Sequence, residues 1–260
     1  MPSKLEKLET NGHLLDLHNQ MFTPFLTSLT LCASVIDSLD QLCFPETLEE
    51  LCMIEHRVRS LDAACLPDNL KKLIFDVGPL SSIANVHFLR RLHYLDLQNN
   101  QLTEFDPGAL PLTLRYLNLR LNQIGSIKSG FSPKSELRIL NLHSNRIERL
   151  DGLVLPPLLR DLNLNQNRLT SLKGLRLPPL VDVLAIEGHH FTSFDHPELN
   201  TTLRMLVMSN CTIPSFVDLQ FNEQLCLLFL RNCVIASLNG FRSPPRVKVM
   251  MSGMRASAST

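Results

Sequence analysis

The sequence predicts an α/β solenoid. Short coils stack so that their strands form one parallel β-sheet on a concave face, and the convex side is extended or made of single turns with little helix. Two observations predict this. An aliphatic residue opens the same phrase, LxxLxLxx(N/C/H)x(I/L)xx(L/F), at Leu5, Leu26, Leu48, Leu70, Leu92, Leu114, Leu137, Leu159, Val181, Leu203, Leu225 and Val247, with intervals of 21 to 23 residues. Proline stands three residues before the opener at Pro45, Pro67, Pro111, Pro156, Pro178 and Pro244. A fixed period of this length marks stacked units, each of which cannot bury its apolar side alone. Such a stack displays a long surface and encloses no deep pocket, which already narrows the function.

Each part of the unit has a physical reason. In the LxL segment alternate side chains point to opposite faces, as a strand requires. Stacked neighbours then line the leucines up in a continuous core, and twelve strands at roughly 4.8 Å give a stack on the order of 55 Å long. After the strand, Asn100, Asn122, Asn145 and Asn167 hold a turn position in four successive units. A side-chain amide there can satisfy backbone groups that point inward. The same slot holds His13, Ser34, His56, Gly78, His189, Cys211 and Cys233 elsewhere. Glycine offers no side chain, so the unit from Leu70 to Ile83 is expected to be looser than its neighbours. Proline lacks a donor and disfavours helix at the residue before it, which keeps the convex segments extended.

The whole chain, 1–260, reads as one domain of about eleven full repeats and a truncated twelfth. Ser3 and Glu6 could form a capping box on a short helix over residues 3–10, which competes with a degenerate first repeat. At the other end Val247 opens a last strand, with Val249 and Met251 placed on the outward face, and residues 252–260 read as a disordered tail. No polar cap is legible there. Either the chain is truncated or another chain covers the end, and self-association through that end is expected.

The units Leu92–Leu102, Leu114–Ile124, Leu137–Ile147 and Leu159–Leu169 closely resemble the leucine-rich repeat superfamily, and the resemblance runs from about Leu5 to Met250. The 22-residue length and the trailing Ile147, Leu150 and Leu153 are similar to the class typified by a regulator of protein phosphatase 1. The recurrent LPP resembles bacterial effector repeats and uncharacterised fungal repeat proteins. The resemblance implies the asparagine ladder at the turn position. It also implies a protein-interaction function through the concave face, with a phosphatase regulatory subunit or a substrate receptor or effector of a ubiquitin-ligase system as alternatives.

Composition sets further bounds. Lys+Arg and Asp+Glu both number 25, so the chain is formally neutral, which argues against a broad electrostatic grip on nucleic acid or acidic lipid. The seven cysteines are odd in number and scattered, as reduced thiols in a cytoplasmic or nuclear protein are. The N-terminus shows no signal core and no apolar run of membrane-spanning length exists. Asn200-Thr201-Thr202 and Asn210-Cys211-Thr212 are then chance matches to a glycosylation sequon. There is no Gly-rich phosphate loop, paired-cysteine motif or HExxH, and only His189 and His190 among the nine histidines are adjacent. Neighbours in a strand or turn point apart, so no metal, cofactor or catalytic residue is predicted and the protein is not expected to be an enzyme.

Function is therefore expected on the outward strand positions. The middle of the stack is polar with aromatics: Tyr94, Asp96, Gln98, Tyr116, Asn118, Arg120, Asn141, His143, Asp161 and Asn163. A row with His93, Arg115, Arg138 and Arg160 edges it. Tyrosine and arginine most often anchor interfaces, although asparagines stacked in register can also bond simply to one another. The C-terminal zone is apolar, with Met205, Val207, Leu227 and Phe229 expected on the same side, a patch that a soluble monomer rarely leaves open. The sequence reading is an intracellular scaffold for a protein partner, without nucleic acid or membrane.

Overall fold

A computed structural model describes residues 5–11, 22–40, 42–83, 86–199 and 202–256. Twelve parallel strands form one sheet in sequence order. They are Lys7–Asn11, Ser28–Cys32, Glu50–Ile54, Lys72–Asp76, Tyr94–Asp96, Tyr116–Asn118, Ile139–Asn141, Asp161–Asn163, Val183–Ala185, Met205–Val207, Leu227–Phe229 and Lys248–Met250. Near-identical coil lengths keep equivalent residues in line. Leu95, Leu117, Leu140, Leu162, Leu184, Leu206 and Leu228 pair one to the next and all are buried. At the first coil the repeat prevails over a cap helix, since Lys7–Asn11 is a strand paired with Ser28–Cys32. Ser3 and the ladder position His13 lie outside the described residues.

The convex side carries almost no helix. Among the described residues there are two 3-10 turns, Val86–Phe88 and Pro107–Ala109, and short parallel pairs such as Glu104–Phe105 with Ser126–Ile127. Each of these prolines begins a tight turn: the carbonyls of Pro45, Pro67, Pro111, Pro156 and Pro178 accept from the N–H of the opener three residues on, at 2.9 to 3.2 Å. The proline needs no donor in that position, and the turn delivers the chain into the next strand. Phenylalanines fill the space under these segments, with Phe191 and Phe194 rings 5.2 Å apart and Phe216 and Phe241 rings 5.0 Å apart. No helix is long and apolar enough to cross a membrane among the described residues.

The asparagine ladder is present, with a direction the sequence did not settle. The Asn122 Nδ2 group donates to the carbonyls of Leu97 in the preceding coil (2.8 Å) and Leu119 in its own (3.1 Å). Its Oδ1 accepts from Leu102 N–H at 3.0 Å, again in the preceding coil. Asn100, Asn145 and Asn167 repeat the pattern. At three positions without asparagine another side chain still bonds the coil before it, whereas the Ser34 hydroxyl and both His56 ring nitrogens have no hydrogen-bond partner among the described residues. His189 Nε2 lies 3.0 Å from the Leu164 carbonyl, and Cys211 and Cys233 Sγ donate to the Ile186 and Met208 carbonyls at 3.2 and 3.0 Å. A carbonyl only accepts, so the neutral His189 ring carries its proton on Nε2. One residue before the slot, each coil from the second onward turns through the left-handed region, from Ala33 (φ 50°) to Asn232 (φ 55°) and Gly253 (φ 65°).

Three expectations need correction. The Gly78 coil is not loose: Leu73, Phe75 and Leu80 are fully buried. Glycine is there because the His56 ring fills its slot from the coil before, and a Cβ on Gly78 would overlap that ring. The last strand pairs one residue early, Lys248 with Leu227 and Met250 with Phe229, so its interval is 21 and not 22. Because side chains alternate with period two, that slip turns Val249 to the core and puts Lys248 and Met250 in the outward columns. Nor is the segment after it wholly a tail. Arg255–Ala256 forms a strand with Val234–Ile235, because the left-handed turn at Gly253 brings the chain round as in every other coil; residues 257–260 are outside the described set.

Two tests follow from the ladder. Gly78→Asn should cost roughly 1–3 kcal/mol by overpacking against His56, and His56→Asn in the same chain should restore most of it, measured by urea denaturation. Burial lowers both the His56 and the His189 pKa to about 4, below the unfolded value near 6.5. The unfolded chain therefore binds protons first. Stability is full above pH 6.5 and is lost as pH falls toward 4, by about 1.4 kcal/mol per pH unit for each histidine. His56→Asn/His189→Asn should flatten that slope; an unchanged slope would show that neither ring is buried neutral.

Candidate functional site

The strand register brings the predicted middle zone together on the concave face. Tyr94 pairs with Tyr116, Tyr116 with Ile139, and Ile139 with Asp161; beside them run Asp96, Asn118, Asn141 and Asn163. The Tyr94 and Tyr116 rings stack with centroids 4.3 Å apart and planes 4° from parallel. Lys72 Nζ, from the preceding strand, sits 5.6 Å from the Tyr94 ring centroid and covers its outer face. Burial, with Tyr116 and Asp96 nearby, raises the Tyr94 pKa, so the phenol stays neutral at all ordinary pH.

The residues of the second column differ in kind from the tyrosines. Asp96 and Asn118 are only 6% and 4% exposed. Each column member caps its own strand: Asp96, Asn118, Asn141 and Asn163 Oδ1 accept from the N–H of Gln98, Arg120, His143 and Asn165, at 3.0 to 3.1 Å. Those N–H groups point out of the sheet just before the left-handed turn, and an Asx side chain two residues earlier reaches them. Along the stack, Asn118 Nδ2 donates to Gln98 Oε1 at 3.2 Å, and Gln98 Nε2 to Asp76 Oδ2 at 3.0 Å. Asp96, the more buried carboxyl, has its pKa raised by burial despite the hydrogen bonds from Asn118 and Gln98 that oppose the shift. Asp96 and Asn118 thus support the face from beneath, and Tyr94, Tyr116, Asn141, His143, Asp161, Asn163 and Gln98 are half-buried at its surface.

Charge sits at the margins. Arg115, Arg120, Arg138 and Arg160 are exposed. Arg115 pairs with Glu136 at 3.2 Å, whereas Arg120, Arg138 and Arg160 have no ion pair among the described residues. His93 Nδ1 lies 3.1 Å from the Thr113 carbonyl. The His143 pKa is lowered by burial and by Arg120; that of Asp161 is raised by burial and by Asp182. Sequence reading missed Asp76, Lys72 and Ile139. Each was findable, because it stands in an outward column one coil from a residue that was chosen.

The apolar zone also lies where the strand pattern put it. Met205 pairs with Leu227 and Val207 with Phe229, all half-buried, in line with Tyr116 and Asn118 further back along the sheet. The Arg231 guanidinium stands 5.8 Å from the Phe229 ring centroid. Among the described residues no cluster of His, Cys, Asp or Glu could hold a metal.

An open parallel solenoid with rigid outward side chains is a display architecture. A model described as leucine rich repeat matches residues 90–147, the most regular coils. No curated protein sequence matches the chain. Among solved structures it is similar to YopM from Yersinia enterocolitica WA-314, with TM-score 0.71 and 25% identity over 96% of this chain and 55% of that one, so it spans about half that protein's length. It is also similar to the repeat domain in an octameric complex of Latrophilin 3, Unc5D and FLRT2 (TM-score 0.69, 19% identity, 93% and 79% covered) and to a chain of the TLR13–ssRNA13 complex (0.65, 22%, 83% and 33%). The last two likenesses show the fold.

The split between supporting and displayed residues can be measured. Asn118→Ala should lower stability by about 1–2 kcal/mol, because it leaves the Arg120 N–H and Gln98 without their partner. Arg138→Ala should stay within about 0.5 kcal/mol. Equal losses in chemical denaturation would remove the distinction.

Proposed function

We propose that the protein is an intracellular interaction scaffold that binds a protein partner through the concave face between Tyr94 and Asn163. The observation that carries this is the Tyr94–Tyr116 stack, fixed on adjacent strands and flanked by three arginines without ion pairs among the described residues. Tyrosine and arginine held in place before binding lose little side-chain freedom on contact, which is what makes such residues dominate interface energies. The strands that carry them are locked by the ladder below, so the face is rigid. The repeat neighbour found in the Latrophilin 3, Unc5D and FLRT2 complex supports a protein partner. An intracellular setting is supported by the seven cysteines, all free, two of them serving as ladder residues.

The test is affinity capture from a cell extract followed by a variant scan against the captured partner. Tyr94→Ala, Tyr116→Ala and Arg120→Ala should each weaken binding by on the order of 2 kcal/mol. Gln101→Ala, exposed beyond the ladder and off the concave face, should have no effect. A partner that responds equally to changes on both faces would place the interface elsewhere.

A further inference from the structure

The middle of the concave face has an apolar floor and cationic margins. Tyr94, Tyr116 and Ile139 are successive residues of one outward column, and Ile139 is 37% exposed despite its place between polar neighbours. At about 4.8 Å per strand the three make a strip roughly 10 Å long. Arg138 and Arg160 stand on one side of it, each directly before a residue of that column, and Arg120 stands on the other side, beyond the Asn118 column.

The acids of this face are engaged by other groups. Asp76 accepts from Gln98 and Asn99 at 3.0 and 2.8 Å, and Asp96 is buried beneath the tyrosines. Glu136 is held by Arg115, Asp182 by Arg204 at 3.9 Å, and Glu187 by Asn210 at 2.5 Å. Asp161 stands next to Ile139 in the column and closes the strip toward the C-terminus. Arg120, Arg138 and Arg160 are therefore the arginines beside the apolar strip that have no ion pair among the described residues.

We propose, resting on the reading that the concave face binds protein, that this strip takes a short extended acidic segment: one or two aliphatic or aromatic residues flanked by Asp or Glu. An extended chain rises about 3.3 Å per residue, so three residues span Tyr94 to Ile139. Carboxylates on either side of them then come within reach of Arg120, Arg138 and Arg160, where planar guanidinium groups take them bidentately. Single-stranded nucleic acid is disfavoured by the same geometry. Stacking bases need open ring faces, and here the tyrosines cover each other while Lys72 covers the outer face of Tyr94.

The experiment is selection of a phage-displayed random 12-residue peptide library on the immobilised full chain. Fluorescence anisotropy then follows with the enriched peptides and with 12-nucleotide oligo(U) and oligo(A) RNA. Enriched peptides should carry Asp or Glu around Leu, Ile, Phe or Tyr. Arg138→Glu/Arg160→Glu should weaken them at least tenfold, Arg138→Lys/Arg160→Lys, which keeps the charge and loses the planar fork, should weaken them less, and Tyr94→Ser/Tyr116→Ser should also weaken them. Neutral or basic peptides that still depend on the tyrosines would overturn the acidic ligand while leaving the concave-face reading intact. Peptides indifferent to every one of these variants would overturn both. Binding of RNA without peptide, or no enrichment at all, would overturn the acidic segment.

Discussion

Everything in this molecule depends on satisfying backbone groups that turn inward. A coil of 22 residues must bend its chain toward the core after each strand, and there the N–H and C=O groups lose water. From Asn100 to Cys233 one side chain per coil offsets the loss by bonding the coil before it, as Asn122 does with Leu97 and Leu102 while also bonding Leu119 of its own turn. Because that bond reaches backward by one coil, it keeps strand and turn in register: Asn145 makes it although 23 residues separate it from Asn122. The parallel sheet, the aligned leucines and the straight outward columns all follow from that register. The slot is chemically tolerant: the asparagines, His189, Cys211 and Cys233 each bond the previous coil, whereas Ser34, His56 and Gly78 hold it without such a bond among the described residues.

The exception at Gly78 shows the rule by its space requirement. The His56 ring is longer than an amide and occupies two slots of the ladder, so the second slot must be empty. Imidazole can serve in a buried ladder only while neutral, which makes His56 and His189 the acid-sensitive points of the ladder. The ladder of the middle coils, four asparagines in succession, holds no such group, and these are the coils that bear the candidate interface.

The concave face is divided by depth. The residues that cap the strands, Asp96 and Asn118, are consumed by the architecture. Those two positions earlier, Tyr94 and Tyr116, stand above them and meet solvent. In the C-terminal coils Ala185 and Phe229 cannot cap their strands, and polar side chains of the preceding coil act in their place: Asn165 Oδ1 accepts from Glu187 N–H at 2.7 Å, and Ser209 Oγ from Arg231 N–H at 3.2 Å. That substitution is what lets the outward column become apolar there without leaving these backbone donors exposed to a non-polar surface.

The sequence by itself determined the period, the strand positions, the ladder and the face on which the tyrosines and arginines lie, because each of these is a matter of spacing along the chain. It also placed Met205, Val207, Leu227 and Phe229 on the tyrosine side through the same alternation. Only the tertiary structure decided what depends on the neighbouring coil. It decided that Gly78 makes room for His56, that Asp96 and Asn118 are buried caps, and that Asp76 is held by Gln98 and Asn99. It also decided that the last coil is one residue short, which exchanges the faces of Val249 and Met250. The partners in these cases are mostly about one coil apart in sequence and touch because coils stack, so a single unit of the pattern contains no record of them.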